Sequence, residues 1–442
     1  MLGVVGILVA FIVFTILCYY NMASSYAAII SAFVVMIFNR MDIYNGLLEA
    51  FTSGMTTYLK AYFLTIILGT IMGRIYTVTG AGVSIADALS KTFMRPGLSE
   101  GKKQVVALLV MTFAGGALAY GGINIIVLIF TLYPLMLSIC EKADIPKRYI
   151  AGIAMSGTCT WVLSSPGSPQ MANFVPMNVL GTSSTAALVP GIVNAVVVIA
   201  VATGIMNMMI TKSKKNGEHF AYGPNDKPFD PSETKPHWLV AILPLLTIWF
   251  LFNFLKFHLV FAQICGVILA TVIFIPYYRG EKRGGFVDMY NVGALDGIKA
   301  GMSVALVLGF AYVIKASSGF TLIIDTLLKI PGSPYVTFPI AVGLASASAG
   351  SASAGQLLLL PTLAPHYIEA GMSAAAIHRL GAAACTTIDS LPTNPTVLCF
   401  LDHTGENLKT GYAACFVASV FATTIGTIVT SLILYFFPAL AV

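Results

Sequence analysis

Charge is scarce in this chain. Asp, Glu, Lys and Arg make up 10% of its 442 residues, against about 25% in soluble domains. With 57% hydrophobic residues and a mean hydropathy of +0.86, that shortage excludes a charge-coated soluble globule and marks an integral membrane protein. Paired cysteine spacing is also missing. Cys18, Cys140, Cys159, Cys265, Cys385, Cys399 and Cys415 sit in or beside apolar segments, so they read as free thiols packing as small apolar side chains, with no metal site implied. No Gly-Lys-Ser/Thr loop, His-Glu-x-x-His helix or Cys-x-x-Cys pair occurs, which leaves an ATP-driven pump or a zinc protease without support. No nucleophile–base pair marks an enzyme, and no cofactor is expected. The basic residues form no single contiguous patch, so no nucleic-acid face is expected. The first apolar segment has neither a positive leader nor a clear small-residue cleavage site, and it reads as a span rather than a signal peptide.

What is present is length in the apolar segments. Residues 2–20, 23–39, 55–79, 184–210, 239–256, 259–278, 301–319 and 410–437 are each near the roughly 20 residues a spanning helix needs. There is also repetition. Asp42-Ile43-Tyr44-Asn45 returns as Asp288-Met289-Tyr290-Asn291, Gly54-Met55 as Gly301-Met302, and Leu68-Gly69 as Leu308-Gly309. Asp87-Ala88-Leu89-Ser90-Lys91 is echoed by Asp325-Thr326-Leu327-Leu328-Lys329, and the echoes keep their order roughly 240 residues apart by subtraction. Two related halves in an apolar chain are a signature of secondary transporters, whose substrate site lies where the halves meet.

Thr211 to His237 is the one long polar stretch. It divides the halves and reads as a loosely ordered cytoplasmic linker. Glu141 and Asp144 read as solvated loop residues. In each half two spans come first, then an amphipathic segment opening on the Asp-x-Tyr-Asn motif, a third span, and a short amphipathic segment. A region that fits neither one span nor two follows, at Gln104 to Ile139 and at Pro334 to Pro365. Their middles, Gly115-Gly116-Ala117-Leu118-Ala119-Tyr120-Gly121-Gly122-Ile123-Asn124 and Ser346 to Gln356, are rich in glycine and serine, which disfavour continuous helix. A re-entrant hairpin is expected in each half, the alternative being a helix-packing interface of small residues. A broken span comes next: Ser164-Ser165-Pro166-Gly167-Ser168-Pro169-Gln170 interrupts Tyr149 to Leu180, and Asp389-Ser390-Leu391-Pro392-Thr393-Asn394-Pro395-Thr396 interrupts Ala374 to Leu401. Prolines this dense cannot sit in a continuous helix. The half-helix starts that result offer free N–H groups and partial positive charge, suited to an anion.

Hairpins do not cross, so each half has five crossings and the halves have opposite orientation. A cytoplasmic linker then puts both termini outside and places Lys91 to Lys103, Lys142 to Arg148 and Arg279 to Arg283 inside, in agreement with the positive-inside rule. Asp389 is the most unusual residue, a carboxylate within a span. It is either a proton carrier or a structural cap on the half-helix. His378 is either a proton relay or an interfacial histidine, and Arg379 either attracts anions at the entrance or anchors the interface. Gly121, Gly122, Asn124, Ser165, Ser168, Ser351, Ser353, Thr393 and Asn394 lie at the breaks and are the candidate substrate-binding residues.

Gly115 to Pro134, Ile145-Pro146, Ser164 to Pro169 and Gly181, together with Gly350-Ser351-Ala352-Ser353-Ala354-Gly355, His378-Arg379 and Asp389-Ser390-Leu391-Pro392 with Asn394, resemble the gluconate permease family of proton symporters, and most closely its hydroxybutyrate-type branch. That branch commonly has His-Asn-Gly after the Leu-Pro, where this chain has Thr393-Asn394-Pro395. The first break also has Ser165-Pro166-Gly167 where gluconate members often have a histidine. The resemblance implies uptake of a small organic anion such as gluconate or hydroxybutyrate with protons, in a bacterial-type inner membrane, by a dimer with a fixed scaffold and a moving transport part.

The expected architecture is therefore an all-α, elevator-type secondary transporter of two inverted repeats, each with about five spans and one hairpin. Residues 1–103 would be the scaffold part of repeat 1 and 104–210 its transport part. Residues 211–237 would be the linker, 238–333 the second scaffold part and 334–442 the second transport part. The partners expected are a small monocarboxylate, a coupling proton and the bilayer. A sodium-coupled carboxylate carrier on the same fold is the alternative, and a channel or membrane enzyme stands behind it.

Overall fold

The computed structural model describes residues 2–20, 22–95, 97–224, 226, 234–278, 285–328, 332–392 and 394–441. Among them there is helix and no strand. In a bilayer every backbone N–H and C=O needs an internal partner, and an apolar helix supplies one within a single segment. The first half runs α1 (Leu2–Tyr19), α2 (Ser24–Phe38), α3 (Ile43–Val78), α4 (Ala81–Phe93), α5 (Glu100–Tyr120) and α6 (Ile125–Ala143). Then come α7 (Ile150–Thr158), a single turn at Trp161–Ser164, α8 (Met171–Leu180) and α9 (Leu188–Lys215).

The second half repeats this order. It runs α10 (Trp238–Asn253), α11 (Leu259–Phe274), α12 (Gly285–Ala316), α13 (Ser318–Leu328), α14 (Pro334–Ala349) and α15 (Ala352–Glu369), then α16 (Ala374–Ala384), α17 (Pro395–His403) and α18 (Tyr412–Phe436). Among the described residues seven helices are long and apolar enough to cross a membrane: α3, α5, α6, α9, α11 with its final turn, α12 and α18. Large apolar side chains such as Phe261, Val272 and Phe436 are exposed on the outside, where lipid can cover them.

Three expectations need correction. The amphipathic segment at Asp42 and the following span form one helix of 36 residues, carried through a π-helical stretch at Gly46–Phe51; its counterpart at Asp288 lies within the 32-residue α12. Asp42 caps the start of the first of these helices, accepting the Asn45 N–H at 2.8 Å. The hairpin arms are also longer than residues 104–139 implied. α5 has 21 residues and α6 has 19, enough by length and composition to cross a membrane. Finally α9 continues to Lys215, so the polar stretch from Thr211 begins inside a helix.

The two long helices pack antiparallel at the centre. Gly54 lies against Leu308 and Gly309, Gly297 against Ile67 and Thr70, and Gly293 against Ile71. A Cβ on Gly54 would sit 2.5 Å from the Leu308 carbonyl oxygen. Glycine lets the backbones approach this closely, a device common in membrane helix pairs. Gly54 and Gly309 belong to the echoed segments, so part of the repetition in sequence lies in the contact between the halves.

The described part of the polar stretch is tied down, not loose. Asp144 pairs with Lys214 at 3.2 Å and His219 at 2.8 Å and accepts the Phe220 N–H at 3.0 Å. Lys147 pairs with Asp226 at 2.7 Å, and the Tyr133 hydroxyl donates to the same carboxylate at 2.8 Å. Glu218 pairs with Arg148 at 2.8 Å, and Lys235 reaches Asp87 at 2.7 Å. Burial acts against ionisation of Asp144 as the largest single effect. The His219, Phe220 N–H and Lys214 interactions together outweigh it and hold the carboxyl down at about 2. A carboxyl depressed in the folded state stabilises it above the unfolded value of about 4 and loses that contribution as pH falls toward the folded value. Asp144→Asn should therefore melt at a lower temperature than wild type above about pH 4, and the two should converge near about pH 2. A difference independent of pH would show that the charge of Asp144 is not what holds this segment.

Candidate substrate cavity

Four helix starts face one cavity of about 220 Å³. Each start is made by a local break in the chain. At the first hairpin tip, Gly122 turns the backbone at φ +85° and Asn124 caps α6, accepting the Ile126 N–H at 3.0 Å. At the second tip, Gly350 takes φ +56° and Ser351 caps α15 in an extended conformation, accepting the Ala354 N–H at 3.5 Å. These two positions need glycine because side chains disfavour that backbone region. In the first broken span α8 starts after Pro169-Gln170. In the second α17 starts at Asn394-Pro395, with Asn394 Oδ1 accepting the Thr396 N–H at 2.7 Å. Proline at the first helical position needs no donor there.

The cavity wall includes Asn124, Ile125 and Ile126 from the first tip, Gln170, Met171 and Ala172 from α8, and Ala349 to Ser353 from the second tip. Asp389, Ser390, Asn394, Pro395 and Thr396 come from the second break. Phe14, Ser24 and Tyr58, with Ala300, Ser303, Val304 and Val307 on α12, form the facing side. Cross-bonds hold the breaks together. Gln170 Nε2 donates to the carbonyls of Ala119 at 2.5 Å and Ile123 at 3.2 Å, and Gln356 Nε2 to that of Ala172 at 3.1 Å.

Among the described lining residues Asp389 is the one with a formal charge, and no Lys, Arg or His joins it. Its side chain is buried and accepts from Ser390 Oγ at 3.1 Å. Asn394 Nδ2 holds the Asp389 carbonyl at 2.9 Å. Among the described residues no group of three or more His, Cys, Asp or Glu has the arrangement of a metal site.

Of the candidate binding residues, Asn124, Ser351, Ser353 and Asn394 line the cavity with Asp389. Gly121 packs against Leu245, and the carbonyl of Gly122 accepts from Gln263 Nε2 at 3.5 Å. Ser165 Oγ donates to the Trp161 carbonyl at 2.7 Å, and Ser168 Oγ accepts the Gln170 N–H at 3.2 Å. These four shape the breaks and lie outside the lining. Thr393 lies outside the described residues. His378 and Arg379 are fully buried, not interfacial, because the 182–187 segment folds over the start of α16. His378 Nδ1 is 2.6 Å from Thr182 Oγ1, and its Nε2 is 2.9 Å from Asn173 Oδ1. Arg379 donates to the carbonyls of Ser164 and Ala186 and to Asn173 Oδ1. Neither side chain lines the cavity. Sequence reasoning missed Gln170, Ser390 and Thr396 as lining residues, although each adjoins a break it identified. It had no signal for Ser24, Tyr58 or Ser303, which lie in ordinary helix.

A family model described as "GntP family permease" matches residues 1–275. The chain is 25% identical over 440 residues to "Uncharacterized transporter YxjC" of Bacillus subtilis (strain 168), covering 90% of this chain and 91% of that one. Among solved structures it is similar to the YdaH transporter of Alcanivorax borkumensis, with a TM-score of 0.50 and 15% sequence identity over 90% of this chain and 89% of that one. At that identity the likeness concerns the fold alone.

Proposed function

The chain belongs to the GntP permease family, and from that premise we propose that it carries a small monocarboxylate across the membrane together with a proton. The observation that carries this reading is the cavity: four helix starts, one carboxylate, and no basic side chain among the described lining residues. Each helix start offers roughly half a positive charge. Together they can balance the ionised Asp389 and one further carboxylate, whereas a dicarboxylate would leave negative charge in excess. Neutralising Asp389 with a proton removes that competition and lets an anion and a proton move together. The volume of about 220 Å³ is below the ~300–1,000 Å³ of pockets for drug-sized ligands, which favours a small metabolite such as gluconate or 3-hydroxybutyrate.

The same reading makes α5 to α9 and α14 to α18 the moving part, and α1 to α4 with α10 to α13 the scaffold. The common order of helices in the two halves and the antiparallel crossing of α3 and α12 support inverted repeats. The meeting of both hairpin tips with both broken spans supports re-entrant hairpins. A homodimer in the bacterial inner membrane, with the polar stretch in the cytoplasm and both termini outside, completes the reading.

Purified protein in liposomes tests it. With an acid exterior, gluconate, lactate or 3-hydroxybutyrate should accumulate, and citrate and succinate should not. Uptake that follows a sodium gradient and ignores pH would replace the proton by sodium. Movement of none of the five would end the carboxylate reading.

A further inference from the structure

Another cavity opens on the outside of the helix bundle. It has a volume of about 880 Å³, lies between α4, α5 and α9, and is walled by Phe93, Val106, Phe113, Ile192 and Val196. Phe93, Phe113, Ile192 and Val196 are exposed, so the groove faces the surroundings of the bundle, which in a membrane are lipid tails. At the end away from Val106 it meets Tyr120, Trp161 and Pro166, and there the Tyr120 hydroxyl donates to the Pro166 carbonyl. From Val106 to Tyr120 the helix α5 rises about 21 Å at ~1.5 Å per residue. One leaflet contributes about half of a ~30 Å hydrocarbon core, so the groove is long enough for one acyl chain.

Apolar shape fits any lipid, and charge selects among them. Lys91 and Arg95 flank Phe93 at the end of α4, and Lys102 and Lys103 stand one turn before Val106 on α5. Lys91 pairs with Asp87 at 2.9 Å and Lys103 with Glu100 at 3.7 Å. Arg95 and Lys102 are exposed and form no ion pair among the described residues. Basic residues at a membrane surface attract anionic lipid headgroups. The repeat supplies a contrast. α14 and α18 correspond to α5 and α9, and they frame a groove of about 560 Å³ walled by Val336, Ile340 and Leu432. Residues 333–344 and 424–436 include no Lys or Arg. We propose that the groove between α4, α5 and α9 is a binding site for an anionic phospholipid, with its phosphate at Arg95 and Lys102 and one acyl chain running to Pro166. The tail lies against Tyr120 and Pro166 and braces the first break from outside. This site is separate from the substrate cavity and does not depend on which substrate that cavity takes.

Thermal unfolding of the delipidated full chain in a neutral detergent tests the site, because a ligand that binds the folded state alone raises the melting temperature. Each variant is compared with its own melting temperature without lipid. In wild type, phosphatidylglycerol should raise melting several degrees more than phosphatidylethanolamine with the same chains. Glycerol 3-phosphate, a headgroup without a tail, should leave it unchanged. Arg95→Ala combined with Lys102→Ala should raise the phosphatidylglycerol concentration for half the effect about tenfold and leave the phosphatidylethanolamine response as it was. Ala195→Phe, which narrows the groove from α9, should remove most of the phosphatidylglycerol effect. Thr424→Phe, in the repeat-related groove, should keep it. Equal responses to the two lipids in wild type would overturn the proposal, as would a phosphatidylglycerol preference that survives in the double variant. An equal shift with glycerol 3-phosphate, or a full response in Ala195→Phe, would show that no tail enters the groove and would overturn it too.

Discussion

Asp389→Asn protein should exchange substrate across a membrane but fail to concentrate it. The asparagine is nearly the same size, still accepts from Ser390, and keeps the cavity permanently uncharged, as a bound proton would. The substrate-loaded carrier can then form and cross in either direction, so counterflow between labelled and unlabelled gluconate or 3-hydroxybutyrate should persist. The coupling step is lost. A gradient of one pH unit is worth 1.36 kcal/mol per coupled proton, which supports up to about tenfold accumulation in wild type. In the variant the internal concentration should rise only to equality with the exterior. Measurement in liposomes with and without an imposed pH gradient checks this. Accumulation that survives in Asp389→Asn would move the coupling role away from this residue.

The second large effect is expected at Arg379, which never meets the cavity. Its guanidinium is completely buried. Its donors serve the Ser164 carbonyl at the end of the turn before the first break, the Ala186 carbonyl in the covering segment, and Asn173 on α8. Gly191 at the start of α9 leaves room for it: a Cβ there would be 2.9 Å from Arg379 Nε and 2.4 Å from Pro166 Cγ. One side chain from the second half thus fixes both edges of the break in the first half. Arg379→Met fills similar space but strands these acceptors, at about 1–3 kcal/mol for each buried group left unpaired. The melting temperature in detergent should fall by several degrees, and uptake by at least about tenfold, because the start of α8 forms part of the cavity wall. Arg379→Lys should rescue little, since an ammonium cannot span the same set of acceptors. Near wild-type melting and uptake in Arg379→Met would show that the break holds its shape without this residue.

These two residues show what was legible in the sequence. Asp389 stood out because a carboxylate within an apolar segment is rare, and its neighbours Pro392 and Pro395 showed that helix must stop there. The tips at Gly121 to Asn124 and Gly350-Ser351 were visible for the same reason: glycine, serine and proline act locally on the backbone. Burial of His378 and Arg379 was not legible, because it depends on the 182–187 segment crossing α16 from nearly two hundred positions away in sequence. Tyr58, Ser24 and Ser303 were hidden for a related reason. They are unremarkable residues in regular helices, and only the packing of the long helices brings them to the cavity. The linker misled in the opposite direction. Its polarity looked like solvation, but among its described residues Lys214, Glu218 and Asp226 pair with Asp144, Arg148 and Lys147 of the α6–α7 loop.

That matching sets a limit on travel. Residue 226 is fastened to Lys147 and Tyr133, and residue 235 to Asp87 on α4. Nine chain steps separate 226 from 235, and fully stretched they reach at most about 30 Å. If the α5 to α9 group slides against the α1 to α4 group, these two moorings cannot be drawn farther apart than that leash allows. A longer stroke must first unfasten one end, so the charges on this stretch would set how far the carrier can swing.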